Sequence, residues 1–164
     1  MVKILTGKIN SMKTQRMLDL YKRDHRGDGF ISIKHMIKDK VHSYEAMRLS
    51  TGERLPFIIR DEFVYQEFPI SCQIGPYLFN QATIDKVTEA ISIMVNDKIS
   101  PIYLDEIGLL ELEGKCFDHI LRKMVASKLD LVLSMRVSLV EAIINKYQID
   151  EYEIIHKEGE TDDR

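Results

Sequence analysis

From residue 82 onward the apolar residues switch repeatedly between two spacings, and this alternation restricts the chain to few folds. Residues 82–96 set Ile84, Val87, Ile91 and Val95 on one helical face. Residues 102–104 then form a short apolar run, read as a strand, and residues 116–126 read as a helix carrying Phe117, Ile120, Leu121, Met124 and Val125. A strand at 129–134, a helix at 137–147 and a strand at 152–155 complete the series. Strands alternating with helices predict a mainly parallel sheet covered by helices, an α/β fold, because parallel neighbours need a long crossover between them.

The N-terminus follows the same rule. Residues 2–6 are an apolar strand that stops at Gly7, and residues 14–23 space Met17, Leu18 and Tyr21 as a helix. The charged, glycine-rich stretch 22–29 breaks that helix. From 30 to about 80 the texture changes to short β-like pieces at 29–33, 44–49, 55–59, 63–68 and 77–79, with Ser50-Thr51-Gly52-Glu53 as a hairpin turn. The expectation is one domain over 1–164, with a hairpin-rich insertion at about 29–80 and a charged tail at 157–164.

Composition excludes several classes. At 164 residues, 45% hydrophobic and 30% charged, the chain has the balance of a globular domain with one substantial core. A net charge of −3 gives no signal for nucleic acid held by a broad basic surface. No window approaches the roughly 18 apolar residues of a membrane span. Cys72 and Cys116 lie far apart and outside any C-x-x-C pattern, which points to reduced thiols in a cytoplasmic protein. The five histidines have no zinc-ligand spacing. Nothing in the sequence sets an oligomeric state.

Between the first strand and the first helix, Gly7-Lys8-Ile9-Asn10-Ser11-Met12-Lys13-Thr14 keeps the first glycine, the lysine and the threonine of the phosphate-binding pattern G-x-x-x-x-G-K-[ST]. Met12 stands where the second glycine belongs. In such a loop, inward backbone N–H groups surround the β- and γ-phosphates, and the N-terminus of the next helix adds positive potential. The candidate nucleotide-binding residues are therefore Gly7, Lys8, Ile9, Asn10, Ser11, Met12, Lys13 and Thr14. Lys13 would act as a point cation on the phosphates, and the Thr14 hydroxyl as a Mg²⁺ ligand. Against the fuller pattern G-x-x-G-x-G-K-T, Asn10 and Met12 both replace glycines. Asn tolerates positive φ. Met at positive φ costs on the order of 1–2 kcal/mol. If the loop needs only a close approach at this position, the flexible side chain can swing aside at less cost. Both readings stay open at this level.

Pro101-Ile102-Tyr103-Leu104-Asp105-Glu106 is an apolar strand ending in two carboxylates. An aspartate at such a strand end suits Mg²⁺, directly or through water, and an adjacent glutamate suits orientation and deprotonation of a lytic water. In isolation the pair also reads as a cap or turn. Glu111 is either a support behind the pair or a solvated loop carboxylate. Ser134 and Arg136, at the end of the next strand, face the crevice side of a parallel sheet. Ser134 is a candidate γ-phosphate sensor. For Arg136 a surface arginine opening a helix is the plainer reading.

With these residues in view, the chain resembles the small P-loop nucleoside-triphosphatases first known from thermophiles, which have a RecA-like fold. Their acidic segment reads approximately D-E-I-G-x-[ML]-E-L, matched here by Asp105-Glu106-Ile107-Gly108-Leu109-Leu110-Glu111-Leu112, with Phe117 at the expected spacing. Gly29-Phe30-Ile31-Ser32 resembles the family's G-F-x-[TS] strand, and Gly75-Pro76-Tyr77 a segment before its next helix. The resemblance implies a Mg²⁺-dependent enzyme hydrolysing ATP, GTP or related triphosphates. It assigns phosphate and metal roles to Gly7, Lys13 and Thr14, the metal role to Asp105 and the general-base role to Glu106. Departures are Asn10, Met12, Ile9 where proline is usual, and Lys34 where an acidic residue often follows.

Asp24, Asp28 and Gly29 imitate half of a calcium loop, but Arg26 and His35 occupy ligand positions, so a turn entering the insertion is the better reading. Arg48, Arg54 and Arg60 read as a solvated hairpin face rather than a phosphate partner. Three functions remain: a Mg²⁺-dependent triphosphatase, a catalytically degenerate nucleotide-binding module for regulation or partners, and a small-molecule kinase using the same loop.

Overall fold

The central strands bury alternate residues on opposite faces, and that two-residue period decides which helix covers which side. A computed structural model describes residues 1–7 and 12–156. In chain order the elements are β1 (Val2–Gly7), α1 (Lys13–Asp24), β2 (Asp28–Ile37), β3 (Lys40–Arg48), β4 (Arg54–Arg60), β5 (Ile70–Ile74) and β6 (Tyr77–Asn80). There follow α2 (Gln81–Asn96), β7 (Ile102–Leu104), α3 (Leu109–Leu112), α4 (Asp118–Ala126), β8 (Leu131–Arg136), α5 (Val140–Tyr147) and β9 (Tyr152–Ile155). Short 3-10 turns occupy Asp61–Phe63 and Val137–Leu139.

Among the described residues the nine strands form one sheet in the order β5-β6-β4-β3-β2-β7-β8-β1-β9. Its core strands β2, β7, β8, β1 and β9 run parallel. β3, β4, β6 and β5 continue it as an antiparallel wing. Ile4, Ile102, Leu104, Leu131 and Leu133 pack on one face against α2, α4 and α5. Leu5, Tyr103 and Val132 pack on the other with Met17 and Leu20 of α1. The α/β fold with helices on both faces of a parallel core is thus the one that the alternation predicts.

Where β2 meets β7, Gly29 lies opposite Tyr103 at φ 151°. A Cβ built there would stand 2.1 Å from the Tyr103 carbonyl oxygen, so no side chain fits between these strands. Asp28, just before it, is buried and receives the Ser50 N–H (3.0 Å), the Ser50 hydroxyl (2.7 Å) and Arg48 Nε (2.9 Å). The carboxylate of the calcium-loop look-alike therefore ties down the β3–β4 turn. Arg54 and Arg60 pair with Glu45 and Glu62 on the wing surface.

Several boundaries differ from expectation, each for a tertiary reason. Residues 63–68 are not a strand. Phe68 is buried with Ile59 and Leu78 from a loop, and the wing's edge strand is β5 instead. The helix expected from 116 starts at Asp118, because Cys116 has φ 56°. The strand expected at 129–134 runs two residues later, which places Ser134 inside β8 rather than at its end. Helix α3 was not foreseen. The charged tail at 157–164 lies outside the described residues.

Candidate nucleotide site

Parallel strands present their C-terminal ends along one edge, and those predicted residues that are described gather there. β1 ends at Gly7, in register with Arg136 at the end of β8. α1 opens with Lys13, which is buried, and Thr14 follows in its first turn. β7 is only three residues long, so Asp105 and Glu106 emerge at the same edge. Lys8, Ile9, Asn10 and Ser11 lie outside the described residues.

Asp105 is the hub. Its Oδ2 accepts the Thr14 hydroxyl at 2.6 Å and the Ser32 N–H at 2.9 Å. Its Oδ1 accepts the Ser134 hydroxyl, whose oxygen in turn accepts the Glu106 N–H at 2.8 Å. Asp105 is 3% exposed, and three hydrogen bonds offset the cost of burying its polar oxygens. Ser134 is thus a brace between the two acidic residues rather than a group facing the cleft. Ser32 was missed as a site residue, although its place three residues after Gly29 in the G-F-x-[TS] match was a usable signal.

Glu106 takes φ 60°, a left-handed conformation that non-glycine residues adopt only when the surroundings hold it. Its side chain reaches open space in the cleft, yet protein surrounds it at longer range. Burial, and then the charge of Asp105, push its pKa above the ordinary carboxylate range, partly offset by Lys13, Arg136 and Lys34. The cleft holds about 550 Å³. It is lined by Met12, Lys13, Thr14, Glu106 and Arg136 and by the rings of Tyr44, Tyr77, Phe57, Phe79 and Phe117. Burial, with smaller contributions from Tyr77 and Glu106, pushes the Tyr44 phenol up to about 12, so it remains a proton donor at neutral pH. Arg136 both opens the 3-10 turn at Val137–Leu139 and lines the cleft.

Met12 caps the N-terminus of α1 with φ 61° and ψ 32°, so the position does demand the left-handed region. Its side chain is 63% exposed and borders the cleft. Relief of the backbone strain, less the extra freedom glycine gains when unfolded, should make Met12→Gly more stable by about 1 kcal/mol. Urea unfolding would show this as a higher midpoint at constant slope; an unmoved midpoint would mean the conformation carries no strain.

Glu111 is not a solvated carboxylate, although it contributes to the cleft lining. It is buried, and it accepts the N–H of Gly108 at 2.8 Å and of Phe117 at 3.1 Å. Burial raises its pKa, opposed by those two backbone donors. The backbone carbonyl of Glu111 is held by Lys146 and Tyr147 of α5. Glu111 therefore staples the segment after the acidic pair onto α4 and α5.

The oxygen donors here fit Mg²⁺, which favours oxygen and keeps most of its shell as water and phosphate. Thr14 and Asp105 already converge at 2.6 Å, and with both carboxylate oxygens engaged, Asp105 suits contact through water. Among the described residues no group of three or more His, Cys, Asp or Glu could hold a metal by itself, which a shared phosphate–metal site does not require.

A family model described as NTPase matches residues 3–160. Among solved structures, the crystal structure of THEP1 from the hyperthermophile Aquifex aeolicus aligns with a TM-score of 0.68 at 16% identity, covering 95% of this chain and 89% of that one. The solution structure of a human cancer-related nucleoside triphosphatase aligns with a TM-score of 0.64 at 21% identity, covering 97% and 89%. At these identities the likeness shows the fold. No curated protein sequence is significantly similar.

Proposed function

The chain belongs to the NTPase family matched over residues 3–160, and from that premise we propose that it binds Mg²⁺ with ATP or GTP and hydrolyses the terminal phosphate. The observation that carries this reading is the convergence of Thr14, Asp105, Ser134 and Glu106 in one hydrogen-bonded set at the strand ends.

Gly7, the loop through Ser11, Met12 and the N-terminus of α1 would surround the phosphates, with the buried Lys13 ammonium beside them. Thr14 would hold the metal directly and Asp105 through water; when bound, Mg²⁺ neutralises phosphate charge. Glu106 would orient a water and take its proton as the oxygen bonds to the terminal phosphorus and the nucleoside diphosphate leaves. A carboxylate with a raised pKa is the stronger base for that step. Arg136, which lines the cleft, would offset charge on the phosphoryl group in transfer.

The left-handed Met12 favours a second reading, a nucleotide-binding module with little turnover, acting in regulation or on a partner. Residues 1–164 would form one domain with a β-rich insertion at about 29–80. Cys72 and Cys116 are both free thiols, in keeping with a cytoplasmic setting. Among the described residues no helix is long and apolar enough to cross a membrane.

Titration of labelled ATP and GTP separates these cases from no binding at all. Saturable binding that weakens by roughly tenfold or more without Mg²⁺ is expected. Absence of binding with excess Mg²⁺ would remove the nucleotide reading. Binding without phosphate release would select the module.

A further inference from the structure

Gly7 and Lys13 belong to different elements, and one residue outside the phosphate pattern ties those elements together. Thr6 and Gly7 close β1, whereas Lys13 opens α1. Arg16, half-buried one turn into α1, bonds both. Its backbone N–H donates to the carbonyl of the helix cap Met12 at 3.0 Å. Its side chain turns back to the sheet. There Nη1 donates to the Thr6 carbonyl at 2.9 Å and Nη2 to the Ile155 carbonyl at 3.0 Å.

Those two carbonyls stand where a ladder runs out. β1 and β9 pair from Val2 with Tyr152 to Leu5 with Ile155, and the pairing stops there. The planar guanidinium fork supplies the next two donors. Because the peptide unit is planar, holding the Thr6 carbonyl also orients the N–H of Gly7. The Thr6 hydroxyl, fully buried, is engaged with Nδ1 of His156 at 2.9 Å. The end of β1 is thus gripped by α1 and by the end of β9. Met12 gives this grip a purpose. Its left-handed backbone persists only where the surroundings hold it, and both Asn10 and Met12 stand where the fuller phosphate pattern has glycine.

We propose that Arg16 is a positioning residue for phosphate: by joining Thr6 to Met12 it sets Gly7 against Lys13 and Thr14, and so sets the affinity for a nucleoside triphosphate. The assignment rests on the nucleotide-binding reading above. Arg16 acts through the backbone rather than on the ligand. Without the fork, the arrangement of Gly7 and Lys13 that fits phosphate becomes one among several. Apparent affinity then falls in proportion to the fraction of molecules that keep it, while the number of sites does not change.

The test is a calorimetric titration of the full chain with Mg·ATP, for wild type, Arg16→Lys and Arg16→Met, with a thermal melt of each. Arg16→Lys keeps the charge but offers one nitrogen where the fork offers two. A Kd weaker by about tenfold or more is expected in both variants, at wild-type stoichiometry. Lower stoichiometry at wild-type Kd would mean that Arg16 only supports the fold, and overturns the assignment. Wild-type Kd in Arg16→Lys beside a weakened Arg16→Met would trace the effect to charge, and also overturns it. Wild-type Kd in both variants overturns it and leaves nucleotide binding standing. No binding by the wild type overturns both.

Discussion

Replacing Glu106 with Gln should lower phosphate release by about 10²–10⁴-fold, the usual contribution of a positioned general base. The substitution keeps the size and the planar end group, and it leaves the backbone bond from residue 106 N–H to Ser134 in place. It also removes a negative charge that repels Asp105. Affinity for a triphosphate should therefore hold or tighten while turnover falls. Continuous phosphate detection at saturating Mg·ATP, beside a nucleotide titration and a thermal melt of both proteins, reads all three quantities. Equal release from wild type and variant would remove Glu106 from the chemistry, and background release from both would remove the hydrolase reading altogether.

The largest structural effect is expected from Gly29→Ala. A methyl group 2.1 Å from the Tyr103 carbonyl oxygen cannot be accommodated by turning a side chain, because the obstacle is backbone. Tyr103 is fully buried and paired with β8 on its other side, so β7 cannot retreat. β2 would have to leave β7, and with it the Ser32 N–H would leave Asp105. A loss of about 3–5 kcal/mol is expected, near the whole stability of many domains. Chemical denaturation measures it, and a wild-type midpoint would show that the two strands are not packed as described.

Much of this could be read in the chain beforehand because the informative elements are local. The runs ending at Gly7 and Leu104 are apolar, short and bounded by loop residues, so their strands were recognisable, as were Lys13, Thr14, Asp105 and Glu106 beside them. What escaped depended on neighbours distant in sequence or on backbone partners. Phe63 and Phe68 suggested a strand because they are apolar, but Phe68 buries itself from a loop against Ile59 and Leu78. Glu111 left two readings open because its partners Gly108 and Phe117 are backbone groups with no side-chain signature. Ser134 read as a strand end facing the crevice, but β8 continues to Arg136 and the Ser134 hydroxyl is bound to Asp105, a partner far away in sequence. The aromatic lining of the cleft draws on Tyr44, Phe57, Phe79 and Phe117, and no spacing rule joins residues that far apart.

The left-handed turn at Met12 was one of two readings weighed, and backbone geometry chose between them. Tolerance of a long side chain there follows from its exposure beside the cleft. The requirement for glycine at this place is thus one of backbone energy rather than of room.

Asp105 has a consequence for how the site comes into being. Its oxygens are claimed by a helix, by an outer strand of the parallel set and by the strand next door, three pieces of chain that meet only when the core closes. The carboxylate is therefore aimed by folding itself, ahead of any encounter with a ligand. Little reordering is left for the moment of binding, and damage to any of the three pieces should weaken the scaffold and misdirect the carboxylate together.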